Sequence, residues 1–172
     1  MSNEFIELSQ YRFERAKEDL ANAEDNYKNC YYKGAINRAY YAIFHSLRAV
    51  LALNKVDSSK HSGVISEFNK LYVKTGTFDV QISKMVQSAF LVRNKSDYDD
   101  FYLVSAKEAQ KQILNAKTVI DNVEKYLKEI WYFLNKWIAF SQGKLRYSPQ
   151  KSTLFCYVFY KILPDWLLFY IW

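Results

Sequence analysis

The sequence predicts an all-α protein, an up-and-down bundle of about five helices carrying an aromatic-rich C-terminal extension, and three observations support that expectation. The 172 residues include only four Gly and two Pro, too few for an all-β chain that must turn every ten residues or so. Apolar residues recur at helical spacing from Phe5 to the neighbourhood of Lys128. Beyond Lys128 the composition changes, since all four Trp and both Pro fall there. The chain therefore divides into a helical bundle over residues 1–128 and a segment of different character over 129–172. The length suits one domain with its own core plus an appendage.

The first helix is expected from about Glu4 to Asn29, presenting Phe5, Leu8, Tyr11, Leu20, Ala23 and Tyr27. A second runs from about Tyr32 to Leu53 and stops at the polar stretch Asn54 to Ser59. A third, from about Ser59 to Lys74, closes at Thr75-Gly76, where glycine can adopt the left-handed conformation that ends a helix. The fourth starts near Asp79 and carries Val80, Ile82, Met85, Val86, Phe90 and Leu91 before the charged stretch Arg93 to Asp100. The fifth follows from about Phe101 to Lys128. No internal repeat or low-complexity tract supports a solenoid.

The second helix carries the chemistry. At about 100° per residue, Ile36, Tyr40, Ile43, Phe44, Leu47, Val50 and Leu51 fall in one arc of about 120°, the expected core stripe. The opposite arc holds Arg38, Ala42, His45, Ala49 and Ala52, with Ala35 and Tyr41 at its edges; its small residues permit close approach of another helix. Arg38 and His45 are two turns apart, about 10 Å at the backbone, and their side chains can converge on one phosphate. Histidine titrates near neutral pH and can deprotonate a ribose 2′-hydroxyl, while arginine stabilises charge developing on phosphorus. That pairing suits RNA cleavage without a metal. The structural alternative pairs Arg38 with an acidic residue of the first helix, such as Glu18 or Asp25, and bonds His45 to a neighbouring helix. Both readings stand open at this level.

The net charge of +6 and a pI of about 9.1 suit a polyanionic partner such as RNA or a nucleotide, and equally a solvated basic surface. Cys30 and Cys156 are far apart and lack metal-ligand spacing, so no metal and no cofactor are expected. Free thiols, and the lack of an apolar stretch in Met1 to Gln10, point to the cytoplasm. In the tail, the apolar runs Leu154 to Tyr160 and Trp166 to Trp172 are each too short to span a bilayer. Lys161, Pro164 and Asp165 between them make a combined span costly. The segment reads as an accreted tail that packs on the bundle or aggregates, with membrane association as the lesser alternative.

Three blocks in order resemble prokaryotic HEPN proteins. They are Asn37-Arg38-Ala39-Tyr40-Tyr41-Ala42-Ile43-Phe44-His45 followed by Arg48-Ala49-Val50-Leu51; His61-Ser62-Gly63-Val64 with Phe68; and Arg93-Asn94-Lys95-Ser96-Asp97-Tyr98. The resemblance covers about Phe5 to Lys128. It implies a helical bundle, commonly a homodimer, often encoded beside a minimal nucleotidyltransferase in toxin–antitoxin pairs. It also implies RNA or nucleotide binding, with endoribonuclease activity in some members and a non-catalytic structural or nucleotide-binding partner as the alternative. Nuclease-active members follow an Arg-Asn start, in a block like that of Arg93, with a histidine four to six residues on. Tyr98 stands in that place here, and a phenol with a pKa near 10 is a poor general base at neutral pH. The candidate catalytic residues are thus Arg38 and His45, with Arg93, Asp97 and Tyr98 as an alternative cluster. Arg38, Arg48 and Arg93 are the candidate phosphate contacts. In related pairs the transferase modifies a tyrosine near this motif, and Tyr98, flanked by Asp97, Asp99 and Asp100, is the corresponding candidate.

Overall fold

The structure, a computed structural model, describes residues 4–142, and every regular element among them is helical. These residues divide into two compact units between Lys125 and Tyr126, and all the candidate site residues lie in the first.

Helix α1 (Glu4–Lys28) has Glu4 and Glu7 in its first turn and Lys28 in its last, charges that complement the helix dipole. Its buried residues are Ile6, Ser9, Arg12, Phe13, Ala16, Asp19 and Ala23. This stripe is rotated from the expected one: Leu8 is 36% and Tyr11 69% exposed. Three of its positions are polar and find partners across the helix interface or within the fold, so apolar spacing alone points to the wrong face.

Helix α2 (Tyr32–Ala52) is enclosed on nearly all sides. All seven residues of the predicted core stripe are buried, and so are Ala35, Ala39, Ala42, Ala49 and Ala52. The alanine side is where α1 approaches, since Arg38 and His45 both reach Asp19 of α1. These two residues therefore do not stand on an open surface; they emerge at the α1–α2 seam, half-buried.

Helix α3 (His61–Phe68) runs into one π-helical turn, Asn69–Val73. Tyr72 in that turn donates to the Val50 carbonyl of α2 at 3.1 Å, and Phe68 and Phe78 pack with ring centroids 5.2 Å apart. Gly76 has φ +78°, the left-handed conformation expected at the end of this segment.

Helix α4 (Val80–Tyr98) starts beside Asp79 as expected, and Asp79 caps it, its side chain accepting the Gln81 N–H at 2.6 Å. It buries Ile82, Val86 and Ala89. The Arg93 to Tyr98 block belongs to the helix itself, so its side chains are presented at helical spacing.

Helix α5 (Ala106–Ser141) begins later and ends later than the expected Phe101 to Lys128. Asp99 accepts the Phe101 N–H at 3.1 Å and holds a turn there, while Ser105 accepts the Glu108 N–H at 3.2 Å and starts the helix. The helix passes the compositional break at Lys128 without interruption. The apolar runs Leu154 to Tyr160 and Trp166 to Trp172, with Cys156, lie outside the described residues. Among those described, no helix is long and apolar enough to cross a membrane.

Candidate functional site

The site is organised by a residue that apolar spacing conceals. Asp19 of α1 has a side chain only 4% exposed; its Oδ1 accepts from Arg38 Nη1 at 2.9 Å, and its Oδ2 lies 3.7 Å from His45 Nε2. A carboxylate this deep requires a counter-ion, and two turns of α2 deliver a guanidinium and an imidazole to its two oxygens. Arg38 thus has the acidic α1 partner of the structural alternative, at Asp19 rather than Glu18 or Asp25. The His45 contact is longer than a hydrogen bond and leaves the imidazole oriented without being held tightly.

His45 is pulled below its ordinary pKa first by burial; Asp19 opposes this, and Arg48, Arg15 and Arg12 reinforce it. The ring is therefore neutral at pH 7 and able to accept a proton. With Nε2 turned toward Asp19, an Nε2–H tautomer leaves Nδ1 as the basic nitrogen, and Asp19 then stabilises the imidazolium once it forms.

The second candidate cluster joins the first. Arg93 Nε lies 2.9 Å from Asp97 Oδ2 one helical turn on, and the same oxygen accepts from Asn37 Nδ2 at 3.3 Å. Asn37 Oδ1 in turn accepts from Arg38 Nη2 at 2.8 Å. A continuous polar chain results: Asp19, Arg38, Asn37, Asp97, Arg93, running across α1, α2 and α4. Tyr41 underlies it, with the Arg38 guanidinium 4.8 Å and that of Arg93 5.7 Å from its ring centroid. Arg93 Nη2 also donates to the Tyr41 hydroxyl at 3.4 Å. Tyr98 at the end of α4 lies under Arg93, ring centroid 5.9 Å from Cζ, and is 79% exposed.

Arg48 has a separate engagement. Both oxygens of Asp57 accept from its Nη2, at 2.9 and 3.0 Å, and Asp57 Oδ2 also accepts from Arg12 at 2.6 Å. Burial pushes the Asp57 carboxyl up, but hydrogen bonds and charge from Arg12 and Arg48 outweigh it and hold it below its usual value. With Arg12 also donating to the Arg48 carbonyl at 3.3 Å, this cluster ties the α2–α3 loop to α1 and α2. Sequence spacing points to neither Arg12 nor Asp57, whose partners are 45 and 9 residues away.

His61, the first residue of α3, is a further arrival. Its Nδ1 is 2.7 Å from the Tyr40 hydroxyl, and its ring lies 4.4 Å from Phe44 and 5.9 Å from Tyr41 by centroid. His45 contacts the same two rings, at 5.7 and 6.2 Å. Both histidines of the chain therefore gather on Tyr41 and Phe44. The sequence signal for this was slight: His61 occurs in the second quoted block without a role. Burial chiefly, then Arg93 and Arg48, lowers the His61 pKa. Among the described residues no group of His, Cys, Asp and Glu could hold a metal ion.

A pH dependence follows from the two histidines. Each has a folded pKa below the unfolded value of about 6.5, so the unfolded chain binds more protons as the medium is acidified. Their contribution is fully present above about pH 6.5 and is lost as pH falls through that value toward the folded pKa. Urea midpoints are expected to drop between pH 7 and pH 5; a midpoint that holds or rises on acidification would contradict the depressed values.

Comparison with known proteins places this arrangement in context. A family model described as HEPN domain matches residues 9–126, a span containing every residue of the site. Two proteins of Methanocaldococcus jannaschii, each carrying the name "Putative toxin", are similar. One is 33% identical over 76% of this chain and 96% of its own length, the other 30% over 66% and 78%. A "UPF0332 protein" of Thermotoga maritima is 32% identical over 74% of this chain and 97% of that relative.

Proposed function

Because the chain belongs to the HEPN family and has toxin-named relatives, we propose that it is the toxin-like half of a two-component system with a minimal nucleotidyltransferase, acting on RNA by metal-independent cleavage. The observation that supports this best is the meeting of Arg38, His45 and Arg93 around Tyr41. Neutral His45 takes the proton of a 2′-hydroxyl, and the freed oxygen attacks the adjacent phosphorus to close a 2′,3′-cyclic phosphate. The bond from phosphorus to the 5′-oxygen of the next nucleotide breaks, that oxygen leaving as a hydroxyl with a proton from water. Arg38 and Arg93, each tethered at one edge by a carboxylate, offer their remaining N–H groups to the phosphoryl oxygens.

The test is incubation of the purified full chain with total RNA, with and without EDTA. Fragments ending in a 2′,3′-cyclic phosphate, formed equally in chelator, are expected. Failure to cleave, or cleavage abolished by EDTA, would overturn the reaction. The protein is expected to act in the cytoplasm as a homodimer, which sedimentation at micromolar concentration would check.

A second reading, compatible with the first, assigns Tyr98 as the acceptor of a nucleotide from the partner transferase. Its exposure supports this, since Tyr40 is only 1% exposed, and Arg93 above its ring is suited to an incoming phosphate. After reaction with the transferase and nucleotide, mass spectrometry should map the adduct to Tyr98, and Tyr98→Phe should take up none. An adduct on Tyr40 or Tyr41 would overturn the assignment. Nucleotide uptake without any RNA cleavage would favour the non-catalytic partner role.

A further inference from the structure

We infer that His61 is a further phosphate-contacting residue of this site, an imidazole whose tautomer Tyr40 sets so that Nε2–H is presented as a donor to a phosphoryl oxygen of RNA. The inference rests on the RNA-directed reading above but not on cleavage. Tyr40 is buried, and that burial raises its hydroxyl well above the ordinary phenol range, so the hydroxyl keeps its proton. It lies 2.7 Å from His61 Nδ1, and no other acceptor for its proton is found among the described residues, so donation to Nδ1 is the arrangement that satisfies this buried hydroxyl, with Nδ1 accepting. The ring's one proton then sits on Nε2. A carbonyl or carboxylate at Nδ1 would have imposed the opposite tautomer.

The groups around His61 keep it in that state. Phe44 and Tyr41 of α2 contact its ring, and the charged groups acting on it are cations, Arg93 of α4 and Arg48 of α2. Among the described residues no carboxylate is found acting there to favour the imidazolium, whereas His45 has Asp19. The two histidines thus differ in kind. His45 has a carboxylate that rewards protonation and suits a base, while His61 has a hydroxyl donor and cationic neighbours that disfavour it. A neutral N–H donor suits a phosphodiester monoanion, because it adds a directed hydrogen bond beside guanidinium groups already carrying the charge. Tyr40 is therefore a positioning residue, acting through His61.

The experiment uses the full chain and a short RNA bearing 2′-O-methyl groups throughout, which cannot be cleaved by 2′-hydroxyl attack. In the free protein, nitrogen NMR of the histidines should show His61 Nδ1 as an unprotonated acceptor and Nε2 as protonated. On adding the RNA, the Nε2–H signal should move. His61→Ala should weaken binding about tenfold, the size expected for losing one hydrogen bond to a charged group. Tyr40→Phe, which keeps the imidazole but frees its tautomer, should weaken it in the same direction and let the Nδ1–H form appear. A doubly protonated or Nδ1–H ring in the wild-type protein at pH 7, an Nε2–H signal unmoved by RNA, or unchanged affinity in folded His61→Ala protein would each overturn the inference. Binding with these dependences but no cleavage of ordinary RNA would remove the cleavage reading and leave this one standing; a wild-type protein that does not bind the RNA at all would sink both.

Discussion

Arg38→Met is expected to be the most destabilising single change at the site, lowering stability by about 3 kcal/mol, toward the lower end of the range for breaking a buried ion pair from one side. Asp19 would keep its buried position with His45 as its one remaining ion-pair contact among the described residues, at a separation too long for a hydrogen bond. The lower end applies because the Arg38 side chain is 35% exposed, which screens part of the interaction. Removing the carboxylate as well should recover much of the loss, so Arg38→Met with Asp19→Leu should be more stable than Arg38→Met alone. Acid should narrow the single variant's deficit relative to wild type, because a protonated His45 becomes the counter-ion that Asp19 lacks. Arg38→Lys should retain part of the stability and still lose cleavage, since one ammonium cannot serve Asp19 and Asn37 together as the forked guanidinium does. Urea unfolding of the wild type and the three variants at pH 7 and pH 5.5 checks the stability expectations, and an RNA cleavage assay on Arg38→Lys checks the last. A loss below about 1 kcal/mol for Arg38→Met, the scale of an exposed pair, would mean that Asp19 does not depend on this arginine.

His45→Ala is expected to reduce RNA cleavage by about 10²–10⁴-fold, the usual contribution of a general base, with a fall in melting temperature of only a few degrees. The imidazole sits at the edge of the α1–α2 seam with a side chain 22% exposed, so truncating it opens no large internal cavity. Loss of activity and loss of folded protein therefore separate at this position, whereas at Arg38 they coincide. Cleavage and thermal unfolding measured on the same preparations decide the matter: full specific activity in folded His45→Ala protein would eliminate this histidine as the base. Asp19→Asn gives a graded comparison. It keeps the shape of the side chain but removes the charge that stabilises the imidazolium, so it should slow cleavage less than His45→Ala.

The parts of the molecule legible from sequence are those governed by neighbours along the chain. The α2 core stripe from Ile36 to Leu51, the start of α4 near Asp79 and the Gly76 terminator depend on residues within a turn or two, and helical spacing or turn chemistry reports them directly. Family resemblance extended this to the blocks around Arg38, His61 and Arg93, naming residues without saying which of them meet. The start of α5 was missed for an equally local reason: the Ser105 cap and the Asp99 turn override apolar residues at Phe101 and Leu103.

The sequence by itself determined how many helices form among the described residues, which face of α2 is apolar, and which charged and aromatic residues are available for chemistry. Only the tertiary structure decided which of those residues act together. The rotation of α1 against α2 put Ser9, Arg12 and Asp19 inward in place of Leu8 and Tyr11, and so selected Asp19, over Glu18 or Asp25, as the partner of Arg38. The approach of α4 and α3 to α2 merged two alternative clusters into one through Asn37 and Asp97, committed Arg48 to Asp57, and brought His61 to Tyr40. One residue of a helix corresponds to about 100° of rotation, so the identity of an ion-pair partner depends on how two helices are set against each other. Apolar spacing carries no information about that setting when the residues that define it are polar.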